Sequence, residues 1–223
     1  MKGLFVKDFR LLMGQKNFFA AVFGVSVVLL MTGTGGIASS ASYVLCYIGF
    51  VSSFFVLSTI GYDEFDNGNA FLFTLPFKRK TYAVEKYIFG LFIGIAAMLI
   101  MLAVEAVYFQ IKGVSADWML LLVTFGSGAA CLAGFLALMI PFQLKFGSEK
   151  GRIALIAVMM AIFALAYVAA KALNANFMSV SYLLQSIQKL GTAGIIAVIF
   201  LTVLAVLALS AGISIAILNK KEF

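Results

Sequence analysis

The sequence predicts an all-α polytopic membrane protein with six transmembrane helices, an N-terminal interfacial amphipathic helix and a short cytoplasmic helix between spans two and three. Composition is the first reason. Of 223 residues, 64% are hydrophobic and 11% charged, against about 45–50% and about 25% in ordinary globular domains, so too little polar side chain exists to cover a soluble surface. Uncharged runs are the second: 17–62, 87–104, 118–144, 153–170 and 190–219. A span needs about 20 mainly apolar residues at a rise of about 1.5 Å each. The distribution of basic residues is the third, because it gives the bundle two unlike sides.

Taken in order, residues 1–17 read as an amphipathic helix, with Phe5, Val6, Phe9, Leu12 and Met13 on one face and Lys7 and Arg10 on another. Such a helix lies in the headgroup layer. The first apolar run begins only at Phe18 and no small-residue cleavage site follows it, so a cleavable signal is not expected. The run 17–62 is too long for one helix, and Thr32-Gly33-Thr34-Gly35-Gly36 breaks it into spans 18–33 and 38–60. Spans 87–109, 118–141, 153–172 and 192–218 complete the count, none with an interior proline, and the whole chain 1–223 forms one transmembrane domain. Between spans five and six, Phe177, Val180, Leu184 and Ile187 recur at helical spacing, which predicts a short amphipathic segment at 174–191 on the outer surface.

Thirteen of the sixteen basic residues then share one side: Lys2, Lys7, Arg10 and Lys16, then Lys78, Arg79, Lys80 and Lys86, then Lys145, Lys150 and Arg152, and finally Lys220 and Lys221. Only Lys112, Lys171 and Lys189 lie on the other. The positive-inside rule places both termini in the cytoplasm. The net charge of +7 is therefore a topology signal, and no nucleic-acid partner is expected.

Histidine is absent and the two cysteines, Cys46 and Cys131, fall in separate spans, where they read as small apolar residues rather than metal ligands or a disulfide framework. No nucleophile–base constellation is visible, and no G-x-x-x-x-G-K-[ST] motif occurs; Gly147 to Arg152 does not match it. The chain is not expected to be an enzyme. Asp63, Asn67 and Gly68 occupy three positions of a calcium-loop pattern, but Phe65 and Thr74 stand where oxygen ligands are needed, so a metal site is not expected there. Gly90 with Gly94 and Ala130 with Gly134 are small-xxx-small pairs, suited to close helix packing inside the bundle.

The cytoplasmic segment 62–86 is unlike the rest. Asp63, Glu64 and Asp66 open it, the apolar stretch Ala70 to Leu75 follows, and Pro76 separates that stretch from Lys78, Arg79 and Lys80. An apolar stretch outside the membrane needs a partner, whether a protein, the headgroups or its own bundle. Its pattern reads Tyr62-Asp63-Glu64, Phe71-Leu72-Phe73-Thr74-Leu75-Pro76, Arg79-Lys80 and Glu85-Lys86-Tyr87. This pattern resembles the coupling region of permease subunits of bacterial ABC type-2 exporters. Span count, amphipathic N-terminus and length extend the resemblance over the chain, and it is similar to permeases of phenol-soluble modulin exporters.

The resemblance implies a subunit of the bacterial cell membrane that pairs with a second permease, identical or homologous, and with two cytosolic ABC ATPase subunits. ATP and Mg would bind on those ATPases and no cofactor on this chain. Docking would involve Glu64, Phe71, Leu72, Phe73, Leu75 and Pro76, with Lys78, Arg79 and Lys80 as supporting charges. The implied cargo is peptide, and the 23 phenylalanines fit an amphipathic or hydrophobic one.

Glu105 is the one acidic residue inside a predicted span. A carboxylate near the bilayer centre costs roughly 2.5–3.5 kcal/mol on insertion scales, so it is a candidate for a substrate pathway, or for pairing with Lys112, Lys171 or Lys189. Two other classes remain at this stage. A secondary transporter or channel should carry more midplane charge or broken helices, and a membrane-bound peptide immunity or sensor protein would leave the apolar loop without a purpose.

Overall fold

The computed structural model describes residues 2–33, 37–65, 68–74, 77–113, 118–175 and 191–221, with side chains described outside 2, 37–39, 118–120, 148–149, 191–199 and much of 152–175. Every regular element among them is helical. In chain order these are α1 (Lys2–Gly14), α2 (Lys16–Thr32), α3 (Ile37–Glu64), α4 (Gly68–Leu72), α5 (Arg79–Ile111), α6 (Trp118–Ala175) and α7 (Gly191–Lys220).

Four stretches among the described residues are long and apolar enough to cross a membrane: Ser40–Glu64, Arg79–Ile111, Leu121–Gly147 and Phe200–Lys220. The pair α1–α2, bent by 65° at Gln15, makes a fifth when counted as one span. The expected first span is thus a marginal one, since the 17 residues of α2 reach only about 25 Å at 1.5 Å per residue, short of a hydrocarbon core of about 30 Å. The expected fifth span, 153–172, is helical in backbone within α6, but most of its side chains lie outside the described residues. The hairpin at 34–36 and the segment 176–190, expected to carry the outer amphipathic helix, also lie outside them.

Two sequence expectations change in α6. Span four was expected to stop at Pro141, leaving no span with an interior proline, yet the helix runs through Pro141 and breaks at Gly147, which has φ 77° and ψ 178°. One proline removes a single backbone donor, a loss that a packed membrane helix tolerates. A left-handed φ, in contrast, ends the helical path, and glycine adopts it without a Cβ clash.

Glycine spacing sets how the bundle closes. A Cβ on Gly94 would lie 2.6 Å from Leu132 Cδ1, and one on Gly90 would lie 2.8 Å from both Leu136 Cδ2 and Val56 Cγ2. The α5 pair therefore packs inside the bundle as its spacing predicts. The α6 pair does not: Gly134 faces open space, and Gly128 makes the close approach instead, against Met98 and Leu45. Around these contacts Leu45, Ile48, Val56, Met98, Leu132 and Leu136 form one buried apolar core across α3, α5 and α6. A polar knot joins α7 to it, in which the Tyr87 hydroxyl lies 2.5 Å from Ser210 Oγ and 2.9 Å from Ser214 Oγ, and Ser210 donates to the Ala137 carbonyl at 2.5 Å.

Candidate functional site

The α4 end of the bundle gathers the charged residues. α3 ends on Asp63 and Glu64, α4 is a single five-residue turn of helix, and α5 begins at Arg79. Lys86, one helical turn beyond Tyr82 on the inner face of α5, is fully buried. Its ammonium lies 2.5 Å from Asp8 Oδ2, 3.0 Å from Asp63 Oδ2 and 3.3 Å from Thr59 Oγ1. Tyr82 donates its hydroxyl proton to the same Asp63 oxygen at 3.0 Å, and Lys7 pairs with Asp63 and with Asp8. Glu85, also buried, stands 3.9 Å from Lys86. The two ammonium groups and the carboxylates of Asp8 and Asp63 thus tie α1, α3 and α5 together, while neither Glu85 oxygen has a hydrogen-bond partner among the described residues. A buried charge is tolerated only when paired and hydrogen-bonded in this way.

The same geometry orients α1. Leu4, Phe5, Asp8 and Leu12 turn toward the protein, Phe5 meeting Phe89 edge-on at 5.2 Å, while Val6, Phe9 and Met13 are exposed. The apolar stripe expected from the sequence is therefore split between protein and surroundings. Asp8 was missed at that stage, although an acid one turn from both Leu4 and Leu12 breaks an otherwise apolar stripe.

Residues expected to dock a partner divide into two sets. Leu72 and Phe73 turn inward onto the core. Phe73 packs against Tyr82 with ring centroids 5.5 Å apart and lies under the Arg79 guanidinium at 5.7 Å. Arg79 in turn donates from Nη1 to the carbonyls of Leu218 at 2.7 Å, Lys221 at 2.8 Å and Asn219 at 3.4 Å, satisfying acceptors that the end of α7 leaves free. Glu64 accepts from Lys221 Nζ at 3.5 Å, and Lys221 also donates to the Leu144 carbonyl at 3.2 Å, just before the α6 break. The outward set is Phe71, 71% exposed, with Lys78 and Lys80. Tyr62 and Phe65 are exposed on either side of the acidic pair, and sequence reading had not placed them among the docking residues. Leu75 and Pro76 lie outside the described residues.

Glu105 lies far along α5 from this end. Its side chain is 0% exposed, and neither carboxylate oxygen has a hydrogen-bond partner among the described residues. Of the three lysines considered as partners, Lys112 is exposed with its ammonium 5.7 Å from the Tyr108 ring centroid, Lys171 is exposed, and Lys189 lies outside the described residues. Among the described residues, no group of three or more histidine, cysteine or acidic side chains is arranged to hold a metal.

Several long apolar helices and a charged, loop-bearing end define a multi-pass α-helical membrane protein. The chain belongs to the ABC-2 family transporter proteins, whose family pattern matches residues 3–219. It is accordingly a membrane component of an ABC transporter, of the kind that partners with an ABC ATPase. No curated protein and no solved structure gives a significant match to the chain.

Proposed function

We propose that the chain is the permease subunit of a bacterial ATP-driven exporter. Six crossings, formed by α2, α3, α5, the two arms of α6 and α7, put both termini in the cytoplasm of a bacterial cell membrane. A second permease, identical or homologous, and two cytosolic ATPases complete the transporter; ATP and Mg bind on the ATPases and this subunit carries no cofactor. The supporting observation is Phe71, an exposed aromatic on a short helix outside the apolar bundle, flanked by acids before and Lys78 and Lys80 after. A large apolar side chain turned away from the core fits a groove on a partner protein.

In this reading Phe71, Leu75, Pro76, Lys78 and Lys80 meet the ATPase, while Glu64, Leu72, Phe73 and Arg79 brace the loop from behind. Closure of the ATPases pushes on α4. The Phe73–Tyr82 contact and the hydrogen bond from Tyr82 to Asp63 pass that push to α5 and α3, so the two permeases rock between inward and outward access. The apolar, phenylalanine-rich bundle favours amphipathic or hydrophobic cargo, with peptides such as phenol-soluble modulin-like toxins as the class to test. Glu105 meets a cationic group of that cargo when the helices around it part, since a buried carboxylate without a partner gains most from one.

The test is co-purification with the cognate ABC ATPase. Phe71→Asp should reduce ATPase capture at least tenfold while membrane insertion is retained; undiminished capture overturns the docking role. Glu105→Gln should leave capture intact and lower peptide efflux, and normal efflux in that variant removes Glu105 from the pathway.

A further inference from the structure

The only two cysteines of the chain stand 85 residues apart in sequence and meet in the bundle, with Cys46 Sγ on α3 lying 3.3 Å from Cys131 Sγ on α6. Close backbone approach brings them together. A Cβ on Gly49, one turn along α3 from Cys46, would stand 3.2 Å from the Gly128 carbonyl oxygen and 3.3 Å from Leu132 Cβ, either side of Cys131 on α6. Both thiols are half-buried rather than sealed in the core. Neither takes part in the charged end of the bundle or in the proposed docking. Two thiols in van der Waals contact on different helices stand where a sulfenic acid formed on either one would meet a resolving partner.

We propose that Cys46 and Cys131 form a redox-sensitive dithiol, which lipid-soluble organic hydroperoxides convert into a disulfide that clamps α3 to α6. One sulfur attacks the hydroperoxide, breaking the O–O bond, releasing an alcohol and becoming a sulfenic acid. The second sulfur then displaces that hydroxyl as water and closes the S–S bond. Two thiols and one hydroperoxide give one disulfide, one alcohol and one water, with both sulfurs oxidised and the peroxide reduced. The partners are already in contact, and closure brings the sulfurs from 3.3 Å to a bond length of about 2.05 Å. A clamp here joins the helix that leads into the α4 loop to the arm of α6 it packs on, closing a loop long enough to restrict the unfolded chain appreciably.

The chemical step does not rest on the exporter reading; only its consequence for transport does. Purified chain in detergent is treated with a small excess of cumene hydroperoxide. Both thiols should become inaccessible to N-ethylmaleimide after denaturation, the intact mass should fall by two hydrogens, the thermal midpoint should rise by several degrees, and dithiothreitol should reverse all three. Cys46→Ala and Cys131→Ala should instead stop at a sulfenic acid trapped by dimedone. The proposal is overturned by two thiols that remain alkylatable, by sulfinic acid without a disulfide, or by a disulfide between copies on a non-reducing gel. In vesicles with the ATPase, oxidation should slow cargo efflux in the native chain but not in Cys46→Ala; unchanged efflux with the disulfide formed overturns the clamp alone.

Discussion

Lys86 is the residue on which the charged end of the bundle turns. It is fully enclosed, and its ammonium is shared by Asp8 from α1, Asp63 from α3 and the Thr59 hydroxyl. Removing one partner of a buried ion pair leaves the other charge stranded, which costs about 3–5 kcal/mol, much more than the net worth of the intact pair. Lys86→Met should therefore lower stability by about 3–5 kcal/mol, read as a large fall in the thermal midpoint in detergent. Combining it with Asp8→Asn should cost less than the sum of the two single changes, because each then removes a charge the other had stranded. Additive losses would mean that the two side chains act independently. Sequence reading singled out Glu105 because it stands inside a span. It counted Lys86 only among the basic residues and in the Glu85-Lys86-Tyr87 pattern and passed over Asp8, because both flank spans where charge is ordinary, and only the packing of α1, α3 and α5 together brings them into contact.

Elements were legible to the extent that local pattern decides them. The uncharged runs correspond to helices, and Gly90 and Gly94 mark a real close approach because α5 faces α6 over that stretch. Gly134 shows the limit of the same reading: its spacing with Ala130 is identical, but α6 turns it outward. The two positions make a matched pair. Gly94→Ala should destabilise the bundle by about 1–3 kcal/mol, since its new methyl meets Leu132 and the core must move to admit it. Gly134→Ala should be neutral or slightly stabilising, as alanine is the better helix former. Thermal unfolding of the two variants side by side checks the assignment, and equal effects would contradict the packing of α5 on α6. The segment 62–86 was only half legible. Its aromatic cluster reads as one patch in sequence, whereas α4 turns Phe71 outward and leaves Leu72 and Phe73 to the core; a five-residue helix has too few turns for periodicity to assign its faces.

At the scale of the molecule, α5 provides a ruler. It runs without a break from Arg79 to Ile111, about 50 Å at 1.5 Å per residue, so Lys80 and Lys112, both exposed at its ends, stand on opposite sides of any membrane it crosses. In a cysteine-free background, Lys112→Cys should react with a membrane-impermeant maleimide applied to intact cells, and Lys80→Cys should react only after the cells are opened. The reverse pattern would invert the orientation inferred from the basic residues.

The ion pair between α1 and α5 also constrains the order of events during synthesis. Asp8 and Lys86 are separated by 78 residues, so at about 5–20 residues per second the ribosome makes the acid about 4–16 s before its counter-ion. Throughout that interval α1 has no α5 to dock against. Val6, Phe9 and Met13 remain outward-facing in the finished fold, whereas Asp8 turns inward and has no counter-ion from α5 until Lys86 arrives. α1 is thus among the last segments to reach its final position, and the charged end closes only once α5 has been delivered.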